Sequence, residues 1–126
     1  MDSITIAAQE RSPEIDFDFA NHTFLIKGES YPEDVSEFYG EPIAALKRYL
    51  EAQKGSEIVF NFELIYFNSS SAKVLMNLFD TLDMAAEENT LTINWIYESD
   101  DDNMEEMGEE FGEDLEHATF NLVARD

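Results

Sequence analysis

Ile4, Ile6 and Ala8 alternate with polar residues and predict a first short strand, which Ser12-Pro13 breaks. Ile15, Phe17 and Phe19 then alternate with Asp16 and Asp18. Asn21-His22 supplies a turn, and Thr23 to Lys27 returns as the second arm of a hairpin that Gly28 ends. Ser30-Tyr31-Pro32-Glu33-Asp34 carries helix-start chemistry, with proline and acids in the first turn. The spacing of Val35, Phe38, Ile43, Leu46 and Leu50 predicts a helix reaching Gln53, with a break or kink at Gly40 and Pro42. Lys54-Gly55 stops it.

Glu57 to Phe67 is dense in β-branched and aromatic residues and reads as a strand buried on both faces, hence central and parallel. Asn68-Ser69-Ser70-Ser71 opens a second helix with a buried stripe of Ala72, Leu75, Met76, Phe79, Leu82 and Ala86, closed by Glu88-Asn89. Thr90 to Tyr97 alternates again and predicts a strand. From Glu98 to Glu116, 11 of 19 residues are acidic, yet Met104, Met107 and Phe111 keep helical spacing, which predicts a third, weakly anchored helix. Phe120, Leu122 and Ala124 predict a final strand.

The resulting order is β-β-α-β-α-β-α-β, an α/β single domain spanning residues 1–126. Alternating strands and helices imply parallel crossovers, and the early hairpin adds an antiparallel component. The arrangement resembles the STAS-type fold of anti-sigma-factor antagonists, a mixed sheet with helices mainly on one side.

Composition narrows the function. Hydrophobic residues are 44% of the chain, too many for a disordered one. Cysteine is absent, so no disulfide framework, thiolate nucleophile or zinc–cysteine site is available. No signal peptide or apolar run of membrane-spanning length is visible, and the cytoplasm is the expected location. The net charge of −22 argues against nucleic acid and anionic membrane surfaces as partners, and favours solubility or a basic protein partner.

Catalytic patterns are missing. His22, at a turn, and His117, in an acidic segment, are read as surface histidines outside any metal or triad pattern. No phosphate-loop, dinucleotide, zinc-protease or nucleophile-elbow motif occurs. Asp100-Asp101-Asp102-Asn103 fails as a calcium loop, because the glycine required at the sixth position is Glu105. These acids read instead as favourable charge at a helix start. No catalytic residue, metal site or cofactor is expected.

The informative segment is Tyr66-Phe67-Asn68-Ser69-Ser70-Ser71-Ala72-Lys73, where a strand hands over to a helix. Capping alone explains one Asn or Ser there, because its side-chain oxygen accepts an unpaired backbone N–H. Successive hydroxyls are more than a cap needs. A phosphate on one of them would meet the positive end of the helix dipole and free N–H donors. Lys73 lies one turn after Ser69. A phosphate adds roughly −1.5 to −2 charges, little against −22, so its effect must be local.

Tyr66-x-Asn68-Ser69-Ser70-Ser71-x-Lys73 resembles the phospho-acceptor segment of the SiaC family of bacterial regulatory phosphoproteins. Gly28-Glu29-Ser30-Tyr31-Pro32-Glu33 resembles that family's GxSYPE motif. Phe38-Tyr39, Leu46-x-x-Tyr49-Leu50, Ile93-Asn94-Trp95-x-Tyr97 and Glu109-Glu110-Phe111 also fit, so the resemblance covers essentially the whole chain. It implies a STAS-like fold and a non-catalytic partner switch. A kinase would phosphorylate a Ser or Thr directly after the Asn, and a PP2C-type phosphatase would reverse it. The unmodified protein would bind and activate a diguanylate cyclase, with cyclic-di-GMP signalling as output.

By position the acceptor is Ser69, a Ser where the family pattern has Thr, with Ser70 and Ser71 as alternatives. Asn68 and Lys73 would support the phosphate. Tyr31, Pro32 and Tyr66 are candidate partner contacts, with fixing the helix entry as the other role open to Tyr31 and Pro32. The competing readings are a STAS-like carrier of a small ligand or lipid, which requires a defined pocket, an enzyme, and an acidic nucleic-acid mimic.

Overall fold

Neighbours along the chain are neighbours in the sheet. The structure, a computed structural model, describes residues 2–126. Its strands are β1 (Ile4–Ile6), β2 (Glu14–Asp18), β3 (Thr23–Ser30), β4 (Glu57–Phe67), β5 (Thr90–Glu98) and β6 (Thr119–Arg125). They lie in the order β1-β2-β3-β4-β5-β6. β1, β2 and β3 pair antiparallel, and β3 through β6 pair parallel. The helices α1 (Val35–Glu51), α2 (Ser69–Ala85) and α3 (Asp102–Glu113) make the parallel crossovers. Right-handed crossovers that all step the same way across a sheet leave their helices on one face.

That one-sidedness corrects the reading of β4 as buried on both faces. Ile58, Phe60, Phe62 and Leu64 are buried, while the intervening Val59, Asn61 and Glu63 are only partly covered. The predicted first strand is present as Ile4–Ile6 and adds to the hairpin as an edge strand opposite Ile15–Phe17, so three strands precede α1 and the order written with two is one strand short. β3 does not end at Gly28. It runs on to Ser30 across a bulge, where Gly28 pairs with Leu64 and Glu29 with Tyr66, leaving Ile65 as the extra residue. Gly28 there adopts φ +122°, which favours glycine.

α1 starts later than predicted. Asp34 caps it by accepting the Glu37 N–H at 3.0 Å, so Ser30-Tyr31-Pro32 lie outside the helix. Pro42 stands inside α1, which runs unbroken through Gly40 and Pro42. Pro42 is buried on the inner side of α1, and the helix continues past the hydrogen bond its ring removes. In α2 the buried row is Ser71, Leu75, Leu78, Phe79 and Leu82, and Met76 is turned out, 54% exposed.

The core is aromatic. Phe24 and Phe60 stack at 5.6 Å between centroids, Phe60 and Phe62 at 4.7 Å, and Phe62 reaches Trp95 at 5.8 Å. α3 is held more firmly than its acidity predicts. A Cβ on Gly108 would stand 2.4 Å from Trp95 Cδ1, and one on Gly112 2.5 Å from Phe120 Cδ2. These two glycines let the helix backbone rest on the rings. Trp95 Nε1–H donates to the Met104 carbonyl at 3.0 Å. Beyond α3, the Asp83 carboxylate accepts backbone N–H bonds from Glu116, His117 and Ala118, the last two at 2.8 and 2.9 Å. Partial burial pulls the Asp83 pKa up. The three donors and nearby His117 outweigh it and hold the carboxyl below its ordinary 3.8.

The uncovered sheet face is polar and cross-linked. Asn121 Nδ2 donates to Asn94 Oδ1 and Asn94 Nδ2 to Asn61 Oδ1, each at 3.0 Å, an amide ladder across three parallel strands. Beside it, Glu63 receives Arg125 and Lys27, and Arg125 also reaches Glu98 at 3.0 Å.

Two measurements test this packing. Gly108→Ala gains helix propensity worth about 1 kcal/mol but drives a methyl into Trp95. The expected net loss is about 1–2 kcal/mol in denaturant unfolding, and a gain would refute the close approach. Asp83→Asn is expected to cost about 1 kcal/mol at neutral pH. A depressed folded pKa stabilises above the unfolded value and ceases to as pH falls through the folded one. The difference from wild type therefore closes below pH 3.8.

Candidate functional site

Because β3 and β4 are parallel, they end side by side, with Ser30 opposite Phe67. The connection to α1 and the turn into α2 therefore meet at one end of the sheet. The Asn68 N–H donates to the Ser30 carbonyl at 3.0 Å. Asn68 is extended, at φ −87° and ψ 178°, and its Oδ1 accepts the Ser71 N–H at 2.9 Å. It is the N-cap of α2, with Ser69 as the first helical residue.

The three serines face different surroundings. Ser69 and Ser70 are exposed, and Ser71 is fully buried. Tyr39 OH lies 2.6 Å from Ser30 Oγ, which donates to Ser71 Oγ at 2.8 Å. Burial pushes the Tyr39 phenol up to about 12, against the lowering pull of its Ser30 hydrogen bond. The phenol stays protonated and heads the chain as donor. Ser71 is thus a structural hydroxyl joining α2 to β3 and α1. Its place in the buried row 71, 75, 78, 82, otherwise apolar, is the signal that separates it from its neighbours.

The electrostatics of this helix start are unusual for the chain. α1 has Glu37 in its first turn and α3 has Asp102 and Glu105, but α2 has no acid there. In a protein with 29 acidic residues, this positive dipole end is left without a carboxylate. Lys73 is exposed one turn along. Tyr66, 50% exposed, and the half-buried Tyr31 meet edge to face at 5.7 Å between centroids. The extra residue at Ile65 shifts the alternation, so that Phe67 enters the core and Tyr66 does not. Pro32 is half-buried in the connection before α1, and the Tyr31 N–H donates to the Arg11 carbonyl at 2.8 Å. The structure therefore brings Tyr31, Pro32, Tyr66, Asn68 and Ser69 to one end of the sheet.

Elsewhere, His22 departs from a simple surface role. It is half-buried at φ +57°, and its Nδ1 hydrogen-bonds the Tyr49 hydroxyl. His117 is exposed, 3.8 Å from Glu87. Asp101 caps α3 by accepting the Met104 N–H at 3.0 Å. Among the described residues no group of three or more His, Asp or Glu is arranged to hold a metal. Among the described residues no helix is long and apolar enough to cross a membrane. A groove of about 310 Å³, lined by Lys47, Leu50, Thr81 and Met84, lies between the C-terminal parts of α1 and α2, away from Asn68.

The model of the SiaC family regulatory phosphoproteins matches residues 6–125. An uncharacterized protein of Pseudomonas aeruginosa strain UCBPP-PA14 is 30% identical over 128 residues, covering 100% of this chain and 99% of that one. The crystal structure of apo-SiaC from Pseudomonas aeruginosa superposes with a TM-score of 0.88 at 29% identity, over 98% of this chain and 100% of that one. A chain of the crystal structure of the diguanylate cyclase SiaD in complex with its activator SiaC, from the same organism, gives 0.90 at 27% identity, over 97% and 99% of the two chains. The chain belongs to the SiaC family of regulatory phosphoproteins.

The buried and exposed serines are separable by experiment. Ser71→Ala strips the Ser30 hydroxyl of its acceptor and is expected to lower unfolding free energy by about 1–2 kcal/mol. Ser69→Ala and Ser70→Ala are expected to stay within about 0.5 kcal/mol of wild type. Equal costs at all three positions would contradict the hydrogen-bonded role of Ser71.

Proposed function

We propose that this member of the SiaC family is a phosphorylation-controlled binding protein whose unmodified form binds and activates a diguanylate cyclase, and that it performs no chemistry itself. Ser69 is the acceptor, Asn68 sets the turn that presents it, and Lys73 is the cation nearest in sequence. A kinase adds the phosphate and a PP2C-type phosphatase removes it, in the cytoplasm. The cyclase assignment is supported by the relative crystallised with the cyclase it activates.

The observation that carries the assignment to Ser69 is its setting. It is exposed, directly follows the cap, and opens a helix start free of acids. Asn68 takes the Ser71 and Ala72 N–H groups, which leaves those of Ser69 and Ser70 at the helix start for a phosphate. Beside that space stand Tyr66 and Tyr31, which offer the aromatic surface a partner can bury. A partner pressed against this end must strip water from a dianion. An uncompensated buried charge costs roughly 3 kcal/mol or more, which is about a hundredfold in affinity. The switch is thus a local desolvation penalty added to or removed from one contact surface.

Wild type, Ser69→Ala and Ser69→Asp recovered from the native cell, with mass spectrometry of bound proteins and of the Asn68–Lys73 peptide, test the reading. Phosphate on Ser69 and a cyclase retained by Ser69→Ala but weakened about a hundredfold by Ser69→Asp are expected. An unphosphorylated peptide with the same partners for all three proteins would overturn it.

A further inference from the structure

β6 pairs with β5 on one side only, and it closes the sheet. The other edge is guarded by brevity, since β1 has three residues. β6 has seven, Thr119 to Arg125, and lacks the proline or lysine with which proteins usually blunt an edge. Its single charged side chain, Arg125, is turned inward to Glu63 and Glu98. Leu122 and Val123 are 38% and 39% exposed on its two faces. Alternate backbone groups along the outer side of this strand are therefore open for pairing.

Two features say what would pair there. On the uncovered face the amide ladder ends at Asn121, which donates to Asn94 and leaves its own carbonyl oxygen toward the next strand position. On the helix face a groove between α3 and β6 is lined by Glu106, Glu109, Glu110 and Glu113, with Phe120 and Leu122 as its floor. A second copy of this chain laid edge to edge would bring two such carboxylate rows together, so the row works against self-pairing. The same row attracts a cationic strand.

We propose that the β6 edge is a docking site for an extended basic segment of a partner protein, added as a seventh strand. Its alternate side chains toward α3 are Lys or Arg, opposite the glutamates. Those on the other face include an Asn or Gln that continues the ladder from Asn121. Main-chain hydrogen bonds supply the affinity and the two rows of side chains the selectivity. The site is distinct from the Ser69 end and requires neither phosphate nor cyclase.

The probe is a synthetic peptide of about eight residues alternating Lys with Asn and Val, titrated into the full chain with binding followed by anisotropy and backbone amide shifts. Two further peptides are N-methylated on one or the other set of alternate amides. Shifts confined to β6 and its neighbours are expected, with one methylated peptide weakened more than about tenfold and the other unaffected. Glu109→Lys with Glu113→Lys should also weaken the parent peptide more than about tenfold. If both methylated peptides bind as well as the parent, the contact is only electrostatic and strand addition is overturned. Sedimentation of the free chain as a dimer paired through β6 would overturn it as well.

Discussion

Directional hydrogen bonds among three hydroxyls buried where β3, α1 and α2 meet hold one end of this molecule in register. Tyr39, Ser30 and Ser71 come from three elements, and in an aromatic core an unpaired hydroxyl would be costly. Hydrophobic burial alone would let the first turn of α2 slide or rotate over the rings beneath it. The Ser30–Ser71 bond fixes both the height and the rotation of that turn. Once Ser71 points inward, helical geometry sends Ser69 and Ser70 outward. The Asn68 cap secures the same residue from its backbone side, through the Ser71 N–H. One buried hydroxyl thereby decides which of its neighbours meets solvent.

The rest of the architecture distributes charge around that end. The helices take the apolar face of the sheet, and the opposite face satisfies its polar groups through the asparagine ladder and the Glu63–Arg125–Lys27 cluster. Acids gather on α3, which tolerates them because its inner face alone meets the core, through the Met104 and Phe111 side chains, the backbone of Gly108 and Gly112 and the Met104 carbonyl. The first turn of α2 stays free of carboxylates. The contrast between a crowded acidic helix and an uncharged helix start is built into the fold.

Strand and helix positions were legible wherever one periodicity dominated. Thr90–Glu98 follows its alternation, and Leu75, Phe79 and Leu82 of the predicted α2 stripe are buried. The boundary at Ser30 is hidden in the sequence because Gly28 signals a strand end, whereas here it permits a bulge and the strand continues. Met76 looked buried because apolar character says nothing of direction; the row set by Ser71 rotates it outward. The motif carried the candidate acceptor directly, since Asn68 and Ser69 are adjacent in the chain. The Tyr39–Ser30–Ser71 chain was not readable, because its partners lie nine and 41 positions apart and meet only through the parallel pairing of β3 and β4. The glycine contacts of α3 were hidden likewise, since a glycine in a helix reads as a weakness until the ring beneath it is known.

The sequential strand order has a consequence for how the molecule is made. Each strand is laid against the one synthesised just before it, so the growing sheet always offers the edge that the next segment needs. No strand has to be inserted between two already paired, and no early segment waits for a distant late one. The chain can leave the ribosome as a sheet that widens one strand at a time, with β6 the last of these six strands to join.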